Sequence, residues 1–220
     1  MNLSTLRTFT SLFCNDVNST RFSSAQYLNA LNESQVQFAL DSKCLFKDNT
    51  ITVVSGTSSY SLPTDFMFEK QVTHKQLMLK PISRATMIYY KGDDWTDDTG
   101  TPKWFNIDPE EARKNILLYP QPTANDTGAN LILTYYPKPT DLSADTDSPL
   151  NSSTLLVQFH IAIACWAAWM LLGYDQATPD INSKRQILLA QYNDKVTEAI
   201  DLFKNTASEP IRLKGGRKWR

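Results

Sequence analysis

Residues 152–174 read SSTLLVQFHIAIACWAAWMLLGY, and this stretch decides how the rest of the chain must fold. Between residues 155 and 172 only Gln158 and His160 are polar, so a helix formed here would be apolar on nearly every side. Such a helix has no face for water, and it must therefore be surrounded by lipid or by other parts of the protein.

Length alone leaves both surroundings open, because roughly 18 to 20 apolar residues can span a bilayer. The flanking charges do not fit a membrane span, since the first basic residue after the stretch is Lys184 and none lies close before it. We therefore favour the core helix of a soluble protein, capped by Asn151 or Ser152 and ended by Gly173 in a left-handed conformation. A membrane-associated protein that uses residues 155–172 is the alternative.

Composition limits the class of protein. The chain has 220 residues, 41% of them hydrophobic, and a formal net charge of -1. This length fits one medium domain with or without a subdomain, and the charge excludes a polycationic coat for nucleic acid. The amino-terminal sequence lacks the pattern of a signal peptide. The three widely spaced cysteines, Cys14, Cys44 and Cys165, favour reduced thiols in a cytoplasmic product over a disulfide framework.

Helical periodicity marks both ends of the chain. Apolar residues recur at three- and four-residue steps in three further stretches, which cover residues 3–14, 24–45 and about 183–207. Ser23 and Gln26 have the spacing of a capping box at the start of the second stretch. Ser183 and Gln186 have the same spacing, and they predict a second capping box at the start of the last helix.

The middle of the chain is typical of a β module. Its short β-branched or aromatic runs are separated by turn residues and prolines, and they lie at residues 50–54, 60–63, 66–72, 77–79, 87–90, 102–107, 116–119 and 131–136. The acidic loop at residues 91–100 matches no calcium loop and is interpreted as a solvated hairpin tip. These runs predict a small antiparallel sheet.

Together the elements predict an α+β fold, in which a bundle of about four helices carries an inserted antiparallel β module and an extended C-terminal tail. The predicted parts are residues 1–48 for the first helices, 49–150 for the β domain, 151–208 for the last helices and 209–220 for the tail.

The sequence contains little that could carry out catalysis. It lacks the motifs of nucleophilic hydrolases, phosphate loops and dinucleotide sites, and its cysteines lack zinc spacing. His160 is interpreted as a hydrogen-bonded core histidine, and His74, beside Lys70 and Lys75, as a surface residue. We therefore expect no enzyme activity, no metal and no cofactor.

The last stretch, residues 210–220, differs from the rest of the chain because it is basic, contains two glycines and has no acid. Its charged and apolar side chains are Ile211, Arg212, Leu213, Lys214, Arg217, Lys218, Trp219 and Arg220. Three interpretations stay open: a solubilising end, a weak salt-sensitive nucleic-acid binder with Trp219 stacking on bases, and a docking peptide for a partner.

Four phrases, in this order and spacing, resemble one family of proteins. They are GTSSYSLPTDF at residues 56–66, GTPKWFNI at 100–107, ILLYPQP at 116–122 and LILTYYPKPTDLSADTDSPL at 131–150. With the entry into the final helix pair, they make the chain similar to the head-to-tail connector (adaptor) proteins of tailed bacteriophages.

The resemblance implies a structural protein of the virion that forms a ring, usually of twelve copies, at the portal-tail junction. Its implied partners are the portal protein, the next tail component (a nozzle or tail-completion protein) and genomic DNA that passes through the lumen without sequence-specific binding. It implies assembly in the host cytoplasm and no membrane. In such proteins the C-terminal segment reaches the portal, and the β domain faces the tail or neighbouring subunits. The candidate contacts there are Tyr89, Tyr90, Trp95 and Trp104.

Overall fold

The computed structural model of the protein describes residues 1–92, 97–107, 115–150, 154–174 and 178–207. The chain divides into two compact units. The helical unit comprises Met1–Leu45 and Pro139–Arg220, and the β unit comprises Phe46–Lys138. Each unit has its own apolar core.

The described part of the chain contains five α-helices: α1 Leu3–Phe13, α2 Ser24–Ser42, α3 Arg84–Lys91, α4 His160–Leu171 and α5 Pro179–Ala207. All of them except α3 belong to the helical unit. Because these four helices accompany two sheets, the predicted α+β class is confirmed.

Helix α4 is the centre of the helical unit. Eight of its twelve residues are buried, and it packs against α1, α2 and α5. The 3₁₀ turns Thr154–Phe159 and Leu172–Tyr174 extend it at either end. By length and hydropathy Leu156–Tyr174 could cross a membrane, a test that buried core helices also pass, and 61% of its most apolar window is buried inside the protein. Neighbouring helices thus provide the surroundings that the core-helix interpretation requires.

The capping box predicted at the start of α2 is confirmed. The Ser23 hydroxyl accepts from the amide of Gln26 at 3.3 Å, and the Gln26 carboxamide oxygen accepts from the amide of Ser23 at 2.8 Å. The helix ends where Lys43 adopts a left-handed conformation, with φ of 52°. Both ends of α2 therefore follow from local side-chain and backbone chemistry.

The second predicted capping box, at Ser183 and Gln186, is wrong. Helix α5 already begins at Pro179, and the Thr178 hydroxyl accepts from the amide of Ile181 at 3.3 Å. Proline suits the first position of a helix because its missing N–H would have no partner there in any case.

Gly173 does not end α4 in the predicted left-handed conformation. It lies in the 3₁₀ turn, outside the set of residues with positive φ. A Cβ atom at Gly173 would lie 3.1 Å from the guanidinium of Arg185. That guanidinium lies 4.9 Å from the ring centroid of Trp169, and its Nε donates to the Trp169 carbonyl at 3.2 Å. The glycine thus makes room for a side chain of α5, and the predicted caps Asn151 and Ser152 lie outside the described residues.

A buried carboxylate, Asp16, holds the connection between α1 and α2. It is 4% exposed and accepts from the amides of Thr20 at 2.8 Å, Arg21 at 3.0 Å and Phe22 at 3.0 Å, and from the hydroxyl of Tyr27 at 2.8 Å. Burial by itself would raise the pKa of Asp16, but these donors stabilise the charged form and lower the pKa to about 2.

Residues 139–150, which the sequence assigned to the β domain, belong to the helical unit. The carboxamide of Asn32 on α2 donates to the Leu142 carbonyl at 3.1 Å and accepts from the Leu142 amide at 2.7 Å. The Gln35 carboxamide donates to the carbonyl of Thr140 at 2.9 Å. Leu142 is 3% exposed, so the segment is held on α2 by both hydrogen bonds and burial.

Within the described residues, the sheets of the β unit contain eight strands: β1 Lys47–Thr52, β2 Ser59–Ser61, β3 Phe66–His74, β4 Leu77–Met78, β5 Lys80–Pro81, β6 Trp104–Ile107, β7 Asn115–Tyr119 and β8 Asn130–Pro137. One sheet has the order β1-β8-β3-β4 and the other β2-β7-β6-β5. Every pair of these eight strands that is hydrogen-bonded is antiparallel, except β5 with β6, which is parallel. In the first and last strands of the insertion, Lys47 lies opposite Tyr135.

Residues 87–90, predicted as a strand, lie instead in helix α3. The Ser83 hydroxyl caps this helix by accepting from the amide of Thr86 at 3.1 Å. Met87 is 1% exposed and packs in a small cluster with Tyr119. The N-cap and one buried anchor outweigh the β propensity of the Ile-Tyr-Tyr run.

Candidate assembly surfaces

The residues predicted to make contacts have different positions in the structure. The tail residues 211–220 lie outside the described residues, as do Trp95 and the side chain of Tyr90. Tyr89 on α3 is 82% exposed. Trp104 on β6 is half-buried and packs against the β unit. Of the four predicted aromatic contacts, Tyr89 is therefore the one for which the described structure gives a widely exposed side chain.

Trp104 packs beside a set of contacts that involve both ends of the acidic loop, residues 91–100. Its ring lies 5.7 Å from that of Tyr119, which is opposite it on β7. The Tyr119 hydroxyl donates to the Asp98 carboxylate, and Lys91 lies 3.0 Å from the same carboxylate. The hydrogen bond from Tyr119 and then that from Lys91 hold the pKa of Asp98 below its usual value. The two ends of the acidic loop are thereby joined.

The hairpin between β3 and β4 presents the most exposed aliphatic side chains of the β unit among the described residues. Leu77 is 67% exposed and Met78 is 66% exposed. The turn before them consists of Lys75 and Gln76, whose φ angles are 49° and 65°. Two consecutive left-handed residues give the tight turn that matches strand twist, although neither residue is a glycine.

A buried carboxylate, Asp126, fixes this hairpin. Its Oδ1 lies 2.8 Å from Lys75 Nζ and 3.4 Å from His74 Nε2, while its Oδ2 accepts from the amide and hydroxyl of Thr123 at 3.1 and 2.9 Å. Burial would raise the pKa of Asp126, but the hydrogen bonds from Lys75 and Thr123 lower it. His74 is 1% exposed, so its prediction as a surface residue is wrong. The period-two alternation with buried Val72 is the sequence signal that could have shown this.

Three aromatic side chains of α4 and α5 pack against one another in the helical unit. The rings of Trp166 and Trp169 lie 4.7 Å apart, and Tyr192 lies 4.6 Å from Trp166. The Tyr192 hydroxyl donates to Asp41 on α2 at 2.7 Å. Widely exposed apolar side chains of this unit are Leu12, Val17, Val157, Tyr174 and Ile187. They are candidate residues for contacts with a binding partner.

His160, on α4, is buried in the core of the helical unit. His160 is 1% exposed, and its Nδ1 accepts from the amino group of Met1 at 3.1 Å, so the core-histidine prediction is confirmed. Burial, and then the positive charge of that amino group, lower the pKa of His160 to about 4. Across the described residues, no group of three or more His, Cys, Asp or Glu side chains could hold a metal ion.

Comparisons with known proteins add an independent observation. A family model described as SU10 adaptor protein matches residues 1–214, so the match covers both units. Comparison with curated proteins gives no match. A match of this extent agrees with the resemblance carried by the four phrases. The chain therefore belongs to the SU10 adaptor protein family, a family of phage head-to-tail adaptor proteins, and is a component of the virion.

Proposed function

We propose that the protein is a non-enzymatic connector that forms a ring, of twelve copies, between the portal and the tail of a phage. The observation that carries this proposal is the family match over residues 1–214. In the proposed assembly, DNA passes through the ring without sequence-specific binding, and the β unit receives a nozzle or tail-completion protein. The ring lies at the portal-tail junction and is assembled in the host cytoplasm.

Physical features of the chain support a mechanical role. Each unit is held by its own buried core, and buried carboxylates fix the α1–α2 connection and the β3–β4 hairpin. Rigid subunits suit a closed ring, in which one surface of each copy must fit a different surface of the next. A net charge of -1 also suits a DNA channel, because a strongly cationic lumen would hold phosphates.

The C-terminal tail is proposed to dock on the portal. Its support is chemical: residues 211–220 combine five basic side chains with three apolar ones and no acid. Such a segment can bind an acidic, partly apolar groove and become ordered there. On the β unit, exposed Tyr89, Leu77 and Met78 support contacts with neighbouring subunits or with the next tail component. Tyr90, Trp95 and Trp104 remain proposed contacts on the same unit.

The test is co-assembly with purified portal rings of the same virus, observed by electron microscopy. We expect the full chain to add a second ring and a variant that ends at Ser208 to fail. If neither adds a ring, the connector proposal is refuted; if both do, the proposed role of the tail is refuted.

Two matched tail variants separate charge from apolar contact. One replaces the five basic residues of 211–220 by Gln, and the other replaces Ile211, Leu213 and Trp219 by Ser. Docking through both features requires that each variant bind portal more weakly than the full chain, with the charge variant losing its salt dependence. Binding of duplex DNA by the full chain at low salt, without any portal binding, would instead favour a nucleic-acid module acting through the tail.

A further inference from the structure

The edges of the two sheets differ in length. Among the described residues, β1 forms one edge of its sheet with six residues, whereas the other three edges, β2, β4 and β5, have only two or three residues each. β5 also contains Pro81, which has no N–H to donate. Short strands and prolines keep a sheet edge from pairing with another chain. β1 has neither protection, and its six pairs with β8 are consecutive, without a bulge.

Alternation along the strand identifies the backbone groups on the open side of β1. Val53, the residue after β1, faces β8 with both of its backbone groups: its amide donates to the Ala129 carbonyl and its carbonyl accepts from the Gly128 amide, both at 2.9 Å. Because successive residues of an antiparallel strand turn their N–H and C=O groups to opposite sides, every second residue of β1 faces away from β8. These residues are exposed, and they are Asp48, Thr50 and Thr52. Within the described part of the chain, no strand pairs with them on that side.

The side chains of these residues are complementary to a second copy of the same edge. When two β1 strands pair in antiparallel order about a two-fold axis at Thr50, Thr50 lies opposite its own copy and Asp48 lies opposite Thr52. The Thr52 hydroxyl can donate to the Asp48 carboxylate, and a Thr–Thr pair is favourable on the face of a sheet. An axis at Asp48 would instead bring two carboxylates together, which is unfavourable.

Apolar side chains at the two ends of the edge fit the same register. Phe46 comes directly before β1, Val54 follows it closely, and about half of each side chain is exposed. An axis at Thr50 brings Phe46 of one copy to the same end of the contact as Val54 of the other. The contact would therefore cover two apolar pairs in addition to forming about six inter-strand hydrogen bonds, two for each facing pair.

We propose that two copies of the free protein pair through their β1 edges, antiparallel and centred on Thr50. The contact is symmetric, so each copy covers the edge of the other and leaves none of it for a third copy. It thereby protects the longest open edge of the described sheets from uncontrolled strand pairing. This pairing goes beyond the proposed ring, because a contact with two-fold symmetry cannot by itself close a ring of more than two copies.

The first test is a disulfide between the two copies of the full chain. In Thr50→Cys the facing Cα atoms would be about 5.5 Å apart, which is within the range of a disulfide. Thr52→Cys is the matched control, since its own copy would lie roughly 13 Å further along the partner strand. The three natural cysteines are buried. After mild oxidation, a non-reducing gel should show at least about tenfold more covalent dimer for Thr50→Cys.

The second test measures the dimer without a covalent link, by sedimentation equilibrium. Thr50→Pro removes the amides of the two central hydrogen bonds, and an edge strand tolerates proline where the N–H faces away from the sheet. We expect the dimer of this variant to dissociate at least about tenfold more readily. Thr52→Asp should also weaken the dimer because it adds a carboxylate opposite Asp48 of the other copy, and the double variant with Asp48→Lys should restore it.

The pairing is refuted if the full chain sediments as a monomer up to about 100 μM, if both cysteine variants form equal amounts of covalent dimer, or if Asp48→Lys fails to restore the dimer. Far-ultraviolet circular dichroism shows whether each variant is folded, and the exposed positions 50 and 52 should tolerate the changes. A dimer that adds no ring to the portal would refute the connector proposal alone. A ring formed by a chain that shows no dimer would refute the pairing alone.

Discussion

Replacing Asp16 by Ala should destabilise the helical unit strongly. The Asp16 side chain is 4% exposed and accepts hydrogen bonds from the amides of Thr20, Arg21 and Phe22 and from the Tyr27 hydroxyl. Each buried donor left without an acceptor costs about 1 to 3 kcal/mol, and water entering the vacated space recovers part of that sum. We therefore expect the free energy of unfolding to fall by about 3 to 5 kcal/mol.

The assay is urea denaturation at neutral pH, followed by far-ultraviolet circular dichroism, since four of the five described helices lie in the helical unit. Because the two units can unfold separately, the helical transition is fitted by itself. Asp145→Ala is the control. That carboxylate is 68% exposed and pairs only with Arg7 among the described residues, so its loss should cost less than about 1 kcal/mol.

A loss below about 1 kcal/mol in Asp16→Ala would refute the reasoning, because it would mean that water satisfies the loop amides as well as the carboxylate does. The dependence of stability on pH in the acid range gives a second check. The pKa of Asp16 is about 2 in the folded chain and 3.8 ordinarily, so its stabilisation is present above pH 3.8 and is lost as the pH falls towards 2. The Ala variant should lack this part of the acid dependence.

Three further predictions concern other polar groups. His160 has a pKa of about 4 in the folded chain against an ordinary 6.5, so the unfolded chain binds the proton first as the pH falls. The free energy of unfolding should therefore decrease by about 3 kcal/mol between pH 6.5 and pH 4. In His160→Gln, the free energy of unfolding measured by equilibrium unfolding should depend less steeply on pH across this range. Asp126→Asn removes the negative charge that pairs with Lys75. We expect the free energy of unfolding to fall by about 2 kcal/mol and the β3–β4 hairpin to become more mobile in ¹⁵N relaxation measurements. Unchanged relaxation would contradict the proposed role of Asp126 in fixing the hairpin. Ser23→Ala removes the N-cap of α2 and should cost about 1 kcal/mol in urea denaturation, with Ser24→Ala, at the exposed first residue of the helix, as the near-neutral control.

Local signals allowed much of the helical unit to be predicted from the sequence. Residues 152–174 required protein on all sides, and Ser23 with Gln26 marked the start of α2. These features depend on contacts within a few residues, so one chain is sufficient to recognise them. The bound segment 139–150 was different, because its attachment depends on Asn32 and Gln35, more than a hundred residues earlier.

In the β unit, the wrong predictions came from judging residues by the composition of their sequence neighbours. Residues 87–90 are rich in β-forming side chains, yet Ser83 and the buried Met87 make them helical. His74 lies beside lysine but faces inward through strand alternation. Polar groups in a core depend on distant neighbours, which a linear pattern does not show.

The pairing of β1 with β8 means that the insertion begins and ends at the same place. Lys47 and Tyr135 lie opposite each other, so the Cα atoms of the first and last strands of the β unit are about 5 Å apart at this pair, close to where the unit begins and ends. A short linker between Leu45 and Pro139 could therefore replace the whole β unit, and residues 46–138 could be transplanted with little change to their termini. Recombination between phages could exchange one unit and retain the other, which would allow the two units of the protein to evolve separately.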